Sequence, residues 1–253
     1  MWYSINKIIK PDSLKEAYSL QNKTRVLFSG GSYLVAEKNP SIQSLIDIND
    51  LVGHGVTASM EGIHIDAGAT LQTFLDTVES INSECRLLKG IKYSCPSKQI
   101  RNQRTFGGEI GKGRPNSEIM VFLHAVNAEL TVIMETEKTV SIRDWNGDGI
   151  ITKISYFPNQ IDGIELERFS VLDSAPALVI VGAIKSGDHF EFSIGGSSGT
   201  IQTFSCRIEE WSENKNLAWA KEAVNAFVAN HFGSLEYKEK LIATALQRVG
   251  ETL

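Results

Sequence analysis

The stretch Gln99-Ile100-Arg101-Asn102-Gln103-Arg104-Thr105-Phe106-Gly107-Gly108-Glu109 is the most informative run in the chain. It is paired, far upstream, with Phe28-Ser29-Gly30-Gly31-Ser32-Tyr33-Leu34. Both runs carry adjacent glycines and nearby hydroxyl residues. A glycine pair lets main-chain amides approach an anion closely, because no Cβ intervenes and positive φ is allowed. Successive N–H groups of this kind form a concave nest for phosphate. Two such loops can grip a pyrophosphate from both sides.

Outward from these loops, the chain reads as short mixed elements. Ile5, Ile8 and Ile9 suggest a strand, and Ser13-Leu14-Lys15-Glu16 has capping-box spacing for a helix starting at Ser13. Arg25–Phe28 and Leu45–Ile48 read as apolar strands. Ile63 and Ile65 alternate with polar neighbours, and Ala67-Gly68-Ala69-Thr70 turns into a helix around Leu71–Val78. The segment Cys95–Ile119 is too long and too distinctive for an ordinary connection. Strands are expected at Glu129–Met134 and Ile150–Phe157, and a boundary near Pro158–Gly163. Beyond it, Ala177–Ile184 and Phe190–Ile194 read as strands and Gly195–Gly199 as a turn. Two helices close the chain. The first is capped by Ser212 and stopped near Gly233, with Leu217, Ala220, Val224, Phe227 and Val228 on one face. The second carries Leu241, Ile242, Ala245, Leu246 and Val249.

Composition narrows the function classes. The 253 residues are 42% hydrophobic and 22% charged, ordinary for a globular protein. With 25 Lys plus Arg against 30 Asp plus Glu, the net charge is −5. No dense basic run marks a nucleic-acid binder. No apolar run approaches ~18 residues, so no membrane span is expected. The start, Met1 to Ile5, lacks the features of a secretory signal. With three scattered cysteines (Cys85, Cys95, Cys206), this leads to an expected cytoplasmic location. Those cysteines form no zinc or iron–sulfur set.

Other signals fail. Asp144–Gly149 matches the first half of a calcium loop, but its twelfth position is Ser155 rather than Glu. The segment reads instead as a tight turn between strands. The five histidines show no metal-ligand spacing, so no metal site is expected. No GxxxxGK[ST], GxGxxG or GxSxG occurs.

The two loops resemble those of the FAD-binding (medium) subunits of molybdenum hydroxylases, the xanthine dehydrogenase and carbon monoxide dehydrogenase type. Ser29 to Leu34 is similar to that family's A-G-G-H-S-L. Gln99 to Glu109 is similar to Q-I-R-N-x-x-T-x-G-G-N, and Pro115-Asn116-Ser117-Glu118-Ile119 to P-x-S-D-L. Ile63–Thr70 resembles I-x-I-G-A-x-T, and Glu236–Ala243 the final helix.

The resemblance implies an α+β fold. A two-subdomain FAD-binding domain of the PCMH type would span 1–158, with subdomains about 1–52 and 53–158. A smaller antiparallel-sheet-plus-helices domain would span 159–253. It implies that Gly30, Gly31, Ser32 and Tyr33 bind the pyrophosphate from one side, and Thr105, Gly107 and Gly108 from the other. Ser117 and Glu118 would face the ribose and adenine. Cys95, Pro96 and Ile100 would line the cofactor, and Ile151 would lie near the flavin ring. Phe28, Ser29, Leu34, Glu109 and Gly111 complete the implied set. No catalytic side chain is implied.

The resemblance further implies FAD here, with molybdopterin and [2Fe-2S] clusters on a large and a small partner subunit. Electrons would reach NAD or another acceptor. Two departures stand out: Ser32-Tyr33 replaces His-Ser, and Glu109 replaces Asn. A carboxylate ~5 Å from one phosphate charge, at an effective dielectric of ~20, costs about 3 kcal/mol, or roughly a hundredfold in affinity. Two functions therefore stand side by side: an electron-transfer flavoprotein subunit, and a scaffold or assembly subunit of the same fold that has lost FAD.

Overall fold

The computed structural model describes residues 2–59, 61–81 and 85–253. The chain first builds a small parallel sheet. Strand β1 (Lys7–Ile9), helix α1 (Leu14–Leu20), β2 (Arg25–Phe28), α2 (Ser32–Glu37) and β3 (Ser44–Asp47) alternate, and the strand order is β1-β3-β2. Ser13 caps α1 by accepting the Glu16 N–H at 3.2 Å, and the Glu16 carboxylate accepts the Asp12 N–H at 2.8 Å. Ala17, Ile46, Ile48 and Val52 bury the inner face, together with Ile150 from later in the chain.

A five-stranded antiparallel sheet follows, ordered β4-β5-β8-β6-β7: β4 (Val56–Ala58), β5 (Ile63–Asp66), β6 (Glu129–Ile133), β7 (Glu137–Ser141) and β8 (Ile150–Tyr156). Among the described residues, five helices lie between β5 and β6: α3 (Leu71–Val78), α4 (Arg86–Ser94), α5 (Lys98–Arg101), α6 (Phe106–Lys112) and α7 (Glu118–Ala125). In α3, Leu71, Phe74, Leu75 and Val78 recur at helical spacing, and all are buried. They pack with Leu87, Ile91, Phe106, Ile110 and Ile154 in one core. Residues 144–149 join β7 to β8 as a turn, as expected. It is not a hairpin, because β6 lies between those strands.

The last sheet is antiparallel, ordered β12-β11-β10-β9: β9 (Gly163–Phe169), β10 (Val179–Ser186), β11 (His189–Gly196) and β12 (Gln202–Arg207). Helices α8 (Glu213–Ala223) and α9 (Leu235–Thr252) cover one face through Ala220, Ile242, Ala245 and Leu246. Helix α7 packs on the sheet from the α3–α6 side. It approaches closely because Gly182 on β10 has no side chain; a Cβ there would sit 3.1 Å from that of Ala125.

Three details differ from expectation. Gly195 and Gly196 finish β11 rather than forming a turn. Helix α8 ends at Ala223 and passes into a 3₁₀ turn, well short of Gly233. That break rotates the following residues out of helical phase. Val228, expected on the buried face, lies after the break and is 63% exposed; Leu217, within α8 before the break, is also off that face at 50% exposed.

Candidate functional site

The first glycine loop is an open anion cradle. Strand β2 delivers the chain to Gly31, which caps α2 in the left-handed region (φ 67°). The Phe28 ring lies where a Gly31 Cβ would project. Glycine is therefore needed twice over, for backbone conformation and for packing. Gly31 offers no side-chain cap, and among the described residues the first-turn N–H groups of Ser32, Tyr33 and Leu34 have no capping acceptor. Such amides favour an anion. Ser29 anchors the loop by donating its hydroxyl to Asn49 Oδ1 at 3.0 Å.

The second loop is built differently. Thr105 caps α6, and its Oγ1 accepts the Gly108 N–H at 3.2 Å. The Phe106 N–H reaches the Ala69 carbonyl at 3.0 Å, and the Gly107 N–H the Ala67 carbonyl at 2.8 Å. The Gly107 and Gly108 amides are thus engaged internally, which corrects the expectation that both loops present amides to a phosphate. What α6 presents is a surface without side chains. Among the described residues, a Cβ on Gly108 would meet only Thr105 Oγ1, at 3.0 Å, and one on Gly111 would meet nothing within 4 Å. Gly107 is needed for packing instead. Its Cβ would press on Ala67 at 2.9 Å, so glycine lets α6 lie against the turn after β5.

The two loops touch. A Cβ on Gly30 would run into the Gln103 carbonyl. Between them opens a cleft of about 310 Å³, onto which Ser29, Gly30, Gly31, Ser32, Tyr33, Leu34, Thr105, Gly107, Gly108, Gly111 and Ile151 all face. Arg104 and Lys112 also line it, and their cationic side chains suit an anionic ligand. Lys112 is shared with Glu37, at 2.5 Å. Trp145, Gly147 and Gly149 line the cleft too. Both glycines are left-handed (φ 90° and 89°), and the Trp145 indole donates to the Asp148 carbonyl at 2.7 Å. Sequence reasoning reads 144–149 as a tight turn between strands and does not place it at the cleft. Its glycines at turn positions were the available signal.

The remaining expected residues lie off the cleft. Phe28 sits beneath Gly31. Cys95 is buried in the core beside α4, where burial pushes its thiol pKa up. Ile100 is 43% exposed on the surface. Glu109 is fully buried and turned inward. It accepts hydrogen bonds from Tyr33 (2.7 Å) and Ser117 (2.6 Å) and pairs with Arg114 (3.3 Å). Glu109 is thus engaged by its own partners and is not among the residues that line the cleft. Ser117 is occupied by that bond, and Glu118 by Arg168 (2.8 Å) and Ser94 (2.5 Å). Neither faces the cleft.

Residues 3–153, which contain both loops, match the family described as the FAD binding domain in molybdopterin dehydrogenase. The chain belongs to this family. A relative from Escherichia coli K12, the uncharacterized protein YgfM, is 31% identical over 157 residues, covering 59% of this chain. The match spans only 58% of the length of YgfM.

Solved structures extend the likeness across the whole fold of this FAD-binding family member. A chain of carbon monoxide dehydrogenase from Hydrogenophaga pseudoflava, lacking the Mo-pyranopterin moiety, superposes with a TM-score of 0.77. It is 19% identical, with 97% of this chain and 96% of that one covered. Quinoline 2-oxidoreductase from Pseudomonas putida 86 gives 0.74 at 17% identity, covering 98% and 96%. At these identities the likeness is one of fold: α+β, with the FAD-binding portion followed by an antiparallel sheet and helices, as the resemblance implied. Among the described residues, no metal-binding cluster occurs and no helix is long and apolar enough to cross a membrane.

Proposed function

We propose that this chain binds FAD in the cleft between its glycine loops and serves as the electron-transfer subunit of a molybdenum-containing dehydrogenase. One observation carries the reading: Ser32, Tyr33 and Leu34, at the uncapped start of α2, line one cleft with the side-chain-free Gly108 and Gly111. The first loop would hold the pyrophosphate by its amides. Arg104 and Lys112 would balance its charge, and the Thr105 hydroxyl remains able to donate. Trp145, Ile150 and Ile151 give the other end of the cleft an apolar wall suited to a flat ring.

When bound, the flavin supplies the redox chemistry, and the protein supplies position, polarity and shielding from water. The three scattered cysteines provide no cluster, so iron–sulfur and molybdopterin centres would come from a small and a large partner subunit. NAD or another acceptor would receive the electrons. The FAD-binding unit would span 1–158, in two subdomains about 1–52 and 53–158, with the C-terminal unit spanning 159–253.

The rival reading, a scaffold that has lost FAD, draws on the internally bonded amides of Gly107 and Gly108. Absorbance separates the two. The purified chain, or chain incubated with FAD and desalted, should show a flavin band and quenched Trp145 fluorescence. Colourless protein that takes up no FAD would establish the scaffold instead.

A further inference from the structure

Tyr33 and Glu109 stand 76 positions apart, one on each glycine loop, and both are departures from the family pattern given above. They meet: the Tyr33 hydroxyl donates to Glu109 Oε2 at 2.7 Å. The Tyr33 ring lies between two guanidiniums, with the Arg104 carbon 4.1 Å and the Arg114 carbon 4.6 Å from its centroid. Those arginines also approach the Glu109 carboxylate, Arg114 at 3.3 Å and Arg104 at 3.9 Å. Arg104 Nε donates to Ser32 Oγ at 3.3 Å, adding a second tie between the loops. Ser117 completes the shell of the carboxylate at 2.6 Å.

A fully buried carboxylate is tolerated only when paired and hydrogen-bonded. Here its partners come from both loops. Burial, reinforced by the nearby Glu109, pushes the Tyr33 phenol pKa well up, so the hydroxyl stays a donor at any physiological pH. Removing Glu109 takes away the acceptor of the half-buried Tyr33 hydroxyl, and removing that hydroxyl takes one short hydrogen bond from the buried carboxylate.

We propose that Tyr33 and Glu109 are positioning residues that act as a latch. The latch holds the two glycine loops at their spacing before any ligand enters, so that a dinucleotide meets a preformed cleft. The dinucleotide part rests on the function proposed above. A preformed cleft avoids the ordering cost otherwise charged against affinity.

The test is a double-mutant cycle with Tyr33→Phe, Glu109→Met and their combination, plus Glu109→Gln as the conservative variant. Tyr33→Phe keeps the ring between the guanidiniums and removes only the hydroxyl, so that variant remains folded. Two quantities are read: the FAD dissociation constant from flavin fluorescence, and the melting temperature of the ligand-free protein. Each disrupting single change should weaken FAD roughly tenfold, the scale of one hydrogen bond to a charged group. The double should be little worse than the poorer single. Glu109→Gln keeps an acceptor for Tyr33 and should stay within about threefold of wild type, a rescue that lost packing alone would not produce.

Unchanged FAD affinity in Tyr33→Phe, or losses that add in the double, would overturn the latch. If the wild type takes up no FAD, the function proposed above fails, and the melting temperatures decide the latch alone. Non-additive drops of about 5 °C support it, and additive or absent drops reject it.

Discussion

Arg168 on β9 donates its Nε–H to Glu118, the first residue of α7, at 2.8 Å, and their side chains are only 10% and 2% exposed. The rest of the guanidinium binds the carbonyls of Asp173 (3.2 Å) and Ala175 (2.8 Å), and its carbon lies 4.6 Å from the centroid of the Tyr93 ring. One ion pair thus joins the helical layer beside the cleft, the edge of the C-terminal sheet and the loop after β9. Among the described residues, Arg168→Leu would leave the buried carboxylate with only Ser94 as a side-chain partner. A loss of about 3–5 kcal/mol is expected in urea denaturation. An unmoved midpoint would show that the pair contributes nothing.

Gly111 separates binding from stability. It lies inside α6 with open space where a Cβ would project into the cleft. Gly111→Leu should raise stability by up to about 1 kcal/mol, because glycine is a poor helix former. The same side chain should lower FAD affinity at least tenfold by filling the cleft. Gly108→Val should act similarly on binding. If Gly111→Leu binds FAD normally, the ligand does not lie along α6.

His124 on α7 makes stability depend on pH. Burial, with a smaller contribution from Arg143, pushes its pKa down to about 4. The unfolded chain, with an ordinary value near ~6.5, takes up a proton first as pH falls. Stability is therefore full above about pH 6.5 and declines toward pH 4, with roughly 2 kcal/mol lost by pH 5. His124→Asn should remove that part of the decline. Comparing urea midpoints at pH 7 and pH 5 checks this; equal declines in both proteins would assign the effect elsewhere.

Much was legible from sequence because it depends on near neighbours. Ser13, Thr70 and Ser212 each cap a helix through an N–H three residues on. Helix α3 covers Leu71–Val78 as its apolar spacing predicts. The glycine loops marked the cleft, since close backbone approach demands glycine whatever the surrounding fold. Helix α6 was not legible, because three glycines in seven residues contradict helical propensity and tertiary contacts hold it: Phe106 and Ile110 in the core, and hydrogen bonds to the Ala67 and Ala69 carbonyls.

The tertiary structure alone decided where polar groups point. The amides of Phe106 and Gly107 are taken by carbonyls almost forty positions upstream. Glu109 finds Tyr33, Ser117 and Arg114 only after the chain folds back on itself. Residue type states that a carboxylate needs partners; the path of the chain determines which partners reach it, and so whether it repels a phosphate or binds the two loops together.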